Sequence, residues 1–426
     1  MNEQPYQRNA AGYLMLGSRH RLAGRERRSK RQWNVSSWRL AQSPVYRRIP
    51  ARLLVTGSGK RSPMSESGAN GHPSESLPSH VARLYDSYGQ RKPMRHPTPP
   101  KTEPHFFLLR TFLGENDLLV ILNTKRCQYQ CAFCRLPAKS TKSWVPDADV
   151  VAQFRYVTGE VRHALSIVDR VTLSNEGSVL DQQTLGAQAL AEIVAGIGMM
   201  RRVRRIELET RLEFVQPDVL EELRQAAPRA QLAILTGFET VDERIRDEVL
   251  KKHEPLTAVL KGLDNVERAG AALTAYILFK PDPQMSDHEA CSEACRSIDY
   301  LARECDRRHI DLTIRLNPMY RAEDSLWARA ADRVATYSPP RLTDVMKVAE
   351  SAVAAHDGVR VYVGLSDEGL ANAEGTYLAR DDYNPGLIKY VKQFNDRQRS
   401  TFPWSEIDVD RPSSAGRHRA VSGALT

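Results

Sequence analysis

From about residue 106 onward, short apolar, β-branched runs alternate with stretches of helical periodicity. Runs at 118–123, 169–174, 205–209, 231–235, 273–280 and 311–316 are strand-length and end in polar or turn residues. Between them, apolar positions three and four apart predict amphipathic helices over about 148–164, 183–197, 217–226, 241–250, 255–269 and 286–307. Pro217 and Pro255 suit a first helical turn, and Gly270 suits a helix stop. A further helix near 341–355 and a strand at 359–364 follow. Strand alternating with helix in this way predicts a parallel sheet with right-handed crossovers. About six βα units fall short of the eight that close a TIM barrel. The expected fold is therefore α/β, a partial (β/α)6 TIM-like barrel that stays open.

Outside this body the pattern is lost. Residues 1–104 mix arginine clusters (25–31) with Ser/Gly/Pro tracts (62–79 and 92–104) and show no sustained period. They read as a disordered basic leader. Residues 105–340 read as the core domain, 341–408 as a C-terminal α/β extension and 409–426 as a disordered tail. Four readings of the leader compete: a basic arm for RNA or acidic surfaces, an arginine-rich transit segment, a solvated tail, or a stretch that is not translated. Met64 opens a plausible start, after which the composition turns ordinary. Thr56-Gly-Ser-Gly-Lys60 lacks the first glycine of a phosphate loop and reads as part of the leader.

Composition narrows the class. The 426 residues are 41% hydrophobic and 27% charged. No apolar run approaches the ~20 residues that span a bilayer, and no secretory h-region is visible, so neither a membrane nor export is expected. The net charge of +9 divides into +12 over residues 1–63 and −3 over the remainder. The body itself is thus not basic, and whole-chain charge does not argue for nucleic acid. Three of the six cysteines fall within eight residues. Without an export signal, a metal site in a reducing cytoplasm is the better reading than a disulfide framework.

In parallel α/β architectures, ligands sit at the carboxyl ends of the strands. The predicted strand tips carry Asn123-Thr-Lys-Arg-Cys127, Ser174-Asn175-Glu176-Gly177, Glu209-Thr210-Arg211, Thr236-Gly237-Phe238-Glu239, Lys280-Pro281-Asp282 and Asn317-Pro318. One rim collecting acids, cations and thiols reads as a site. Its centre is Cys127-Gln-Tyr-Gln-Cys131-Ala-Phe-Cys134, spaced C-x3-C-x2-C. Three thiolates on one tight loop can wrap an iron–sulfur cluster and leave one iron open, and an open position separates a catalytic centre from a structural one. Zinc would want a fourth thiol or His from elsewhere, and incidental thiols are the third alternative. Cys291 and Cys295, one helical turn apart, share a face. They and Cys305 read as small buried hydrophobes, with a second metal site as the alternative for the pair. Arg201-Arg202-Val-Arg204-Arg205, at the amino end of the third strand, reads as a solvated turn. His253, His288 and His309 read as ordinary surface or helix residues.

The loop directly after the first strand, with Phe133 before its third cysteine, resembles the radical S-adenosylmethionine (SAM) signature C-x3-C-x-aromatic-C. The resemblance covers about 118–350. It implies a [4Fe–4S] cluster on Cys127, Cys131 and Cys134 whose open iron chelates the amino and carboxylate groups of SAM. Electron transfer into the sulfonium then yields methionine and a 5′-deoxyadenosyl radical that abstracts hydrogen. It also implies a flavodoxin- or ferredoxin-like electron donor, and Phe133 packing on adenine. Ser174-Asn175-Glu176-Gly177 stands where the family carries a Gly-Gly-Glu-like motif. By that resemblance Asn175, Glu176 and Gly177 bind cofactor, Glu176 accepting from the SAM ammonium, although the double glycine is absent. Glu207-Leu-Glu209-Thr-Arg211-Leu-Glu213 is similar to the Glu-Thr-Arg-Pro-Glu/Asp stretch of the Elongator catalytic subunit, with Leu212 in place of proline. That similarity takes Glu209 and Arg211 to the ribose or methionine end of SAM, whereas the residues alone support an ion pair at a strand tip. Gly237-Phe-Glu239 is similar to the Gly-Leu-Glu of the same group.

Phe279-Lys280-Pro281, Asn317-Pro318 and Pro339-Pro340 look most like the radical SAM subunit of archaeosine synthase. This implies a transfer RNA deazaguanine as substrate and a transglycosylase-like partner subunit. It also implies a cofactor contact at Asn317 and a substrate-facing catalytic role for Lys280, whose alternative is a snorkelling rim lysine. Two rival functions stay open: a radical SAM enzyme acting on a peptide or small metabolite, and a non-enzymatic metal-binding module.

Overall fold

Among the described residues a β-hairpin comes first, and only its second strand is marked in the sequence. The computed structural model describes residues 100–399 apart from 139 and 367–369. The expected leader up to residue 99, with Met64 and the 56–60 stretch, lies outside the described residues, as does the tail at 409–426. β1 (Phe106–Phe112) turns through Leu113 and Gly114 into β2 (Glu115–Ile121), antiparallel to it. Both turn residues have positive φ, 52° and 79°, as a two-residue hairpin matched to strand twist requires. Leu-Gly is a weaker hairpin signal than Asn-Gly, so the sequence does not announce β1.

From β2 onward every strand pairs in parallel with the next: β3 (Arg170–Ser174), β4 (Arg205–Glu209), β5 (Gln231–Glu239), β6 (Ala272–Phe279), β7 (Leu312–Pro318) and β8 (Arg360–Val363). The eight strands stand in sequence order. Helices α1 (Asp147–Glu160), α2 (Ala187–Gly198), α3 (Pro217–Ala226), α4 (Leu256–Arg268), α5 (Asp287–Asp306), α6 (Leu326–Ala331) and α7 (Leu342–Ala355) connect them, and α8 (Pro385–Arg397) follows β8. The partial, open α/β barrel read from the sequence is borne out, with an antiparallel strand added at one edge. Two local expectations are corrected. The stretch expected as a helix at 241–250 holds a π-turn at Ile245–Val249. That wider turn accommodates Arg246, whose buried guanidinium donates to the carbonyls of Phe238, Thr240 and Glu254. Pro255 caps α4 instead of entering its first turn. Gly270, at φ 60°, ends α4 as expected.

Period-two alternation divides each strand between two environments. Val120, Leu173, Leu208, Ile234, Ile277 and Leu316 are buried in the main apolar core. The opposite face is polar. Asp117, Arg170, Thr172, Glu207 and Thr274 are all buried and linked. Arg170 pairs with Glu207, and the Thr274 hydroxyl donates to Glu207 at 2.5 Å. Thr172 and Arg110 donate to Asp117 at 2.9 and 2.8 Å. The Phe112 ring, from β1, stacks on Tyr362, from β8, at 4.4 Å, with the Arg170 guanidinium 4.3 Å from its centroid. The first and last strands therefore approach each other across the interior. The sheet is curled, and this end is plugged by charges and rings. That leaves the carboxyl ends of the strands for chemistry.

An open sheet must also protect its edges. α8 does this for β8 through two side-chain amides. Asn395 accepts from Val363 N at 2.8 Å and donates to Val363 O at 3.0 Å. Gln398 does the same for Val361, at 2.7 and 2.9 Å. Each carboxamide stands in for one residue of a missing strand. Asn395→Ala should therefore lower stability by about 1–3 kcal/mol, because it strips both backbone partners of the buried Val363. Urea denaturation measures this, and a change under half that size would count against the role given to the amide. Arg201 and Arg202 are exposed before β4, with Arg202 on Asp169 at 2.6 Å, away from the strand carboxyl ends. Among the described residues, no helix is long and apolar enough to cross a membrane.

Candidate functional site

The cysteine loop begins where β2 ends, and its base is latched from several sides. Leu122 N donates to Ser174 O at 2.7 Å, which holds the chain beside the end of β3. The fully buried Gln153 of α1 accepts from Asn123 N at 2.7 Å and donates to the Asn123 and Lys101 carbonyls at 2.8 and 2.7 Å. Lys125 bridges to Thr141, and Arg126 N donates to Thr141 O at 2.8 Å, which closes the base of the loop. Within the loop, Ala132 is held at both polar groups. Its N–H donates to Leu250 O at 2.7 Å, and its carbonyl accepts from Trp327 N at 3.0 Å. The loop is thus preorganised by the backbone rather than by its cysteines.

Cys127, Cys131 and Cys134 form no disulfide among the described residues, and all three are half-buried. Burial pushes the Cys127 thiol up to about 12. Burial also raises Cys131, against the downward pull of the Lys252 ammonium and the Arg211 guanidinium. Among the described residues, no three His, Cys, Asp or Glu side chains converge as they would on one metal ion. Three soft sulfur donors on one fixed loop fit an iron–sulfur cluster. Cys291 and Cys295 are half-buried against the main core, and Cys305 is buried, as small apolar residues would be.

The β3 tip meets this loop. A Cβ on Gly177 would lie 3.0 Å from the Cys127 Cβ, so the glycine is a close approach between the two segments. Glu176 takes a left-handed backbone, φ 58°, and its carboxylate accepts from Ser140 at 2.7 Å. Asn175 is fully buried, and its amide nitrogen faces the Ser178 carbonyl at 3.3 Å and the hydroxyls of Thr124 and Thr184. A carbonyl can only accept, so the Asn175 orientation is set. Its Oδ1 is buried without a partner, 3.6 Å from where a Gly177 Cβ would stand. An unpaired acceptor beside Cys127 fits a ligand that brings N–H groups, as an ammonium does.

The β4 tip carries the ion pair expected there, with Glu213 rather than Glu209 as the partner. Arg211 Nε donates to Glu213 at 2.7 Å, and its other nitrogens donate to the Lys252 and His253 carbonyls at 3.1 and 3.4 Å. Its guanidinium lies 3.9 Å from the centroid of Tyr129, inside the cysteine loop. Arg211 therefore braces the loop. Glu209 remains half-exposed on the same rim.

The remaining expected site residues stand further round. Phe133 packs on a second apolar cluster with Leu278, Met319 and Trp327. The Lys280 side chain is buried, its ammonium on Asp287 at 2.7 Å and Ser338 at 3.4 Å, and its backbone is left-handed at φ 66°. It is a paired lysine rather than a snorkelling one. Asp287 also receives Arg380 at 3.0 Å and Arg341 at 3.4 Å. Those guanidiniums and Lys280 hold its carboxyl below the ordinary range against the upward effect of burial. Asn317 closes over Gly364, where a Cβ would meet its Oδ1. Sequence reasoning missed Gln153, Ser140, Arg246, Lys252, Glu254 and Trp327. None belongs to a motif, and folding buries Lys252 and Glu254 of the 251–255 stretch.

No protein family model matches this chain. Among curated proteins it is 25% identical over 295 residues to archaeosine synthase subunit beta of Thermococcus kodakarensis, covering 66% of this chain and 85% of that one. It is 24% identical over 187 residues to archaeosine synthase subunit beta of Methanosarcina acetivorans, covering 44% of this chain and 51% of that one. The chain thus spans about half the length of the second relative. Solved structures similar to it include the radical SAM coproporphyrinogen III oxidase of Escherichia coli, at 11% identity and a TM-score of 0.37. That match covers 57% of this chain and 53% of the oxidase. Spore photoproduct lyase matches at 14% identity and a TM-score of 0.41, covering 57% of this chain and 75% of that one. At those scores the structural likenesses decide nothing about function. The sequence relatives bear out the resemblance to the archaeosine synthase subunit.

Proposed function

We propose that this chain is a radical SAM enzyme that modifies a nucleoside in transfer RNA. The observation that carries the first half is the cysteine loop, pinned at the carboxyl end of a curled parallel sheet against Gly177 and Arg211. Cys127, Cys131 and Cys134 would hold a [4Fe–4S] cluster, with SAM on its open iron. A cluster held there would supply the electron for reductive cleavage of SAM to methionine and a 5′-deoxyadenosyl radical. The protein's own task is placement. Asn175 Oδ1 and the Glu176 carboxylate, the latter oriented by Ser140, accept from the SAM ammonium. Arg211 keeps Tyr129 and the loop in place, and Phe133 offers its ring to adenine. The plug at Phe112 and Tyr362 closes the opposite end of the interior to water. A reducing compartment such as the cytoplasm suits three thiols outside any disulfide, and the cluster reading calls for a flavodoxin- or ferredoxin-like donor.

The RNA half is supported by the archaeosine synthase relatives, with a transglycosylase-like subunit as the partner and Asn317 as a cofactor contact, while Lys280, buried on Asp287, does not face the substrate. The net charge of −3 over residues 64–426 favours a peptide or small metabolite instead. Nucleoside profiles of transfer RNA from a deletion strain decide between them. Loss of one modified nucleoside supports RNA, and a profile identical to wild type sinks it.

The close approach at Gly177 also makes a prediction. Gly177→Val places carbons against Cys127 and should lower the iron bound per chain after anaerobic reconstitution, with the far-UV circular dichroism unchanged. Full iron content in that variant would remove Gly177 from the site.

A further inference from the structure

We infer that Arg315 is a specificity-determining residue: its guanidinium, inside the curled sheet and without an ion-pair partner, takes an oxyanion of the substrate, a phosphate or a carboxylate. This deepens the proposed function and rests on a substrate that enters the interior from the carboxyl ends of the strands.

The strands leave an open chamber above the plug. On the inward face, Asp117 of β2, Glu207 of β4, Thr274 of β6 and Thr313 of β7 are buried. Two residues further along the same strands, and so on the same face, Leu119, Glu209, Tyr276 and Arg315 are only half-buried. Ile121 and Asn317, two residues on again, are half-buried as well. Each of these six stands between buried chain neighbours. The helices cover the other face, so the open surface of the six looks into the space that the sheet encloses. Arg315 therefore sits at the floor of that chamber, one step above the plug.

Three guanidiniums surround the Phe112 ring, at 5.3, 4.3 and 5.5 Å for Arg110, Arg170 and Arg315. Two of them are paired. Arg110 meets Asp117 at 2.8 Å, and Arg170 meets Glu207 and, at 3.4 Å, Glu115. Asp117 and Glu207 also accept from Thr172 and Thr274. Arg315 has no ion pair among the described residues. Glu209, in the same chamber, stands three strands away. The side chain's one hydrogen bond runs from Nη1 to the Tyr276 hydroxyl at 2.7 Å. Its Nε is buried with no partner. The Tyr276 and Tyr362 rings lie 4.5 and 5.6 Å from it. Rings engage the faces of a guanidinium and leave its in-plane N–H groups unmet. Of the five N–H donors of an arginine, the protein thus satisfies one. A partly desolvated cation with open donors is costly until something completes it. The group that matches a guanidinium edge is a carboxylate or a phosphate, which accepts two parallel hydrogen bonds.

The test is a calorimetric titration of inorganic phosphate, and separately of acetate, into the wild-type chain, R315K and R315Q. One anion should bind wild type, R315K should retain it, and R315Q should weaken it by about 10- to 100-fold, as loss of hydrogen bonds to a charged group does. Phosphate as that anion identifies a nucleotide phosphate as the recognised group, and acetate identifies a substrate carboxylate. If neither anion binds wild type, or R315Q binds both as wild type does, the inference is overturned. Should R315Q fail to fold, wild type decides: the anion should protect Arg315 from phenylglyoxal, read by peptide mass spectrometry, and an unprotected Arg315 overturns the inference. With transfer RNA from the deletion strain as substrate, R315Q should raise KM more than it lowers kcat, and an unchanged KM would equally sink the role. A wild-type protein that binds the anion through Arg315 but converts no RNA would refute the RNA reading and leave the oxyanion site standing.

Discussion

Cys131→Ala should leave a folded chain that neither retains a [4Fe–4S] cluster nor yields 5′-deoxyadenosine from SAM. The fold should survive because the loop is held by its backbone. Ala132 keeps its bonds to Leu250 and Trp327, and Arg126 keeps its bond to Thr141. The cluster should not survive because two thiolates cannot replace three. Loss of a group behind a metal ligand costs about 10–100-fold in affinity, and loss of the ligand itself exceeds that. Iron and sulfide counts after anaerobic reconstitution, then chromatography of a dithionite-reduced reaction with SAM, give the readout. A variant with a full cluster and undiminished cleavage would break the assignment of all three cysteines, since they stand or fall as one set.

The second large effect concerns stability. Glu207→Leu should destabilise the fold by about 3–5 kcal/mol, the usual result of breaking a buried ion pair from one side. Glu207 and Arg170 are both fully buried, and the variant leaves the guanidinium without its closest anion while Thr274 loses its acceptor. Urea denaturation at neutral pH measures this. Arg170→Met combined with Glu207→Leu should recover most of the loss, because the desolvation cost then disappears along with the pair. A double variant as unstable as the single would point to packing rather than charge. Burial acts to raise the Glu207 carboxyl, but Arg170 and the Thr274 hydroxyl outweigh it, so the group titrates below its ordinary range. The sign follows from that depression. The stabilisation is fully present above the unfolded value of about 4.3 and is lost as pH falls through the lower folded value. The gap between wild type and Glu207→Leu should therefore narrow in acid.

Much of the site was legible because its carriers are local. The spacing of Cys127, Cys131 and Cys134 is a property of eight consecutive residues, and the Ser174–Gly177 and Glu209–Arg211 tips follow directly from recognisable strands. The less legible parts depend on contacts between distant segments. Arg211 resembles a cofactor ligand in sequence, yet in the fold its nitrogens are taken by Glu213 and the 252–253 carbonyls. Lys280 sits in a Phe-Lys-Pro turn that suggests a substrate-facing group, yet it lies buried on Asp287.

By itself the sequence determined the order of strands and helices, the parallel sheet and the three-thiol loop. Each is encoded by periodicity or spacing over a few residues. Alternation along a strand tells which residues share a face, but not which face meets the helices and which the interior. Only the tertiary structure decided that Asp117, Arg170 and Glu207 look inward, that Phe112 and Tyr362 meet from opposite edges, and that Asn395 and Gln398 stand in for a missing strand. It also decided how the cysteine loop is surrounded. Gly177 against Cys127, and Lys252 between Glu239 and Glu254, join segments 50 and 13 residues apart in the chain, as the Cys127–Gly177 spacing and the Lys252–Glu239 pair record. Their burial depends on how the strand ends curl toward one another, and no local pattern carries that curvature.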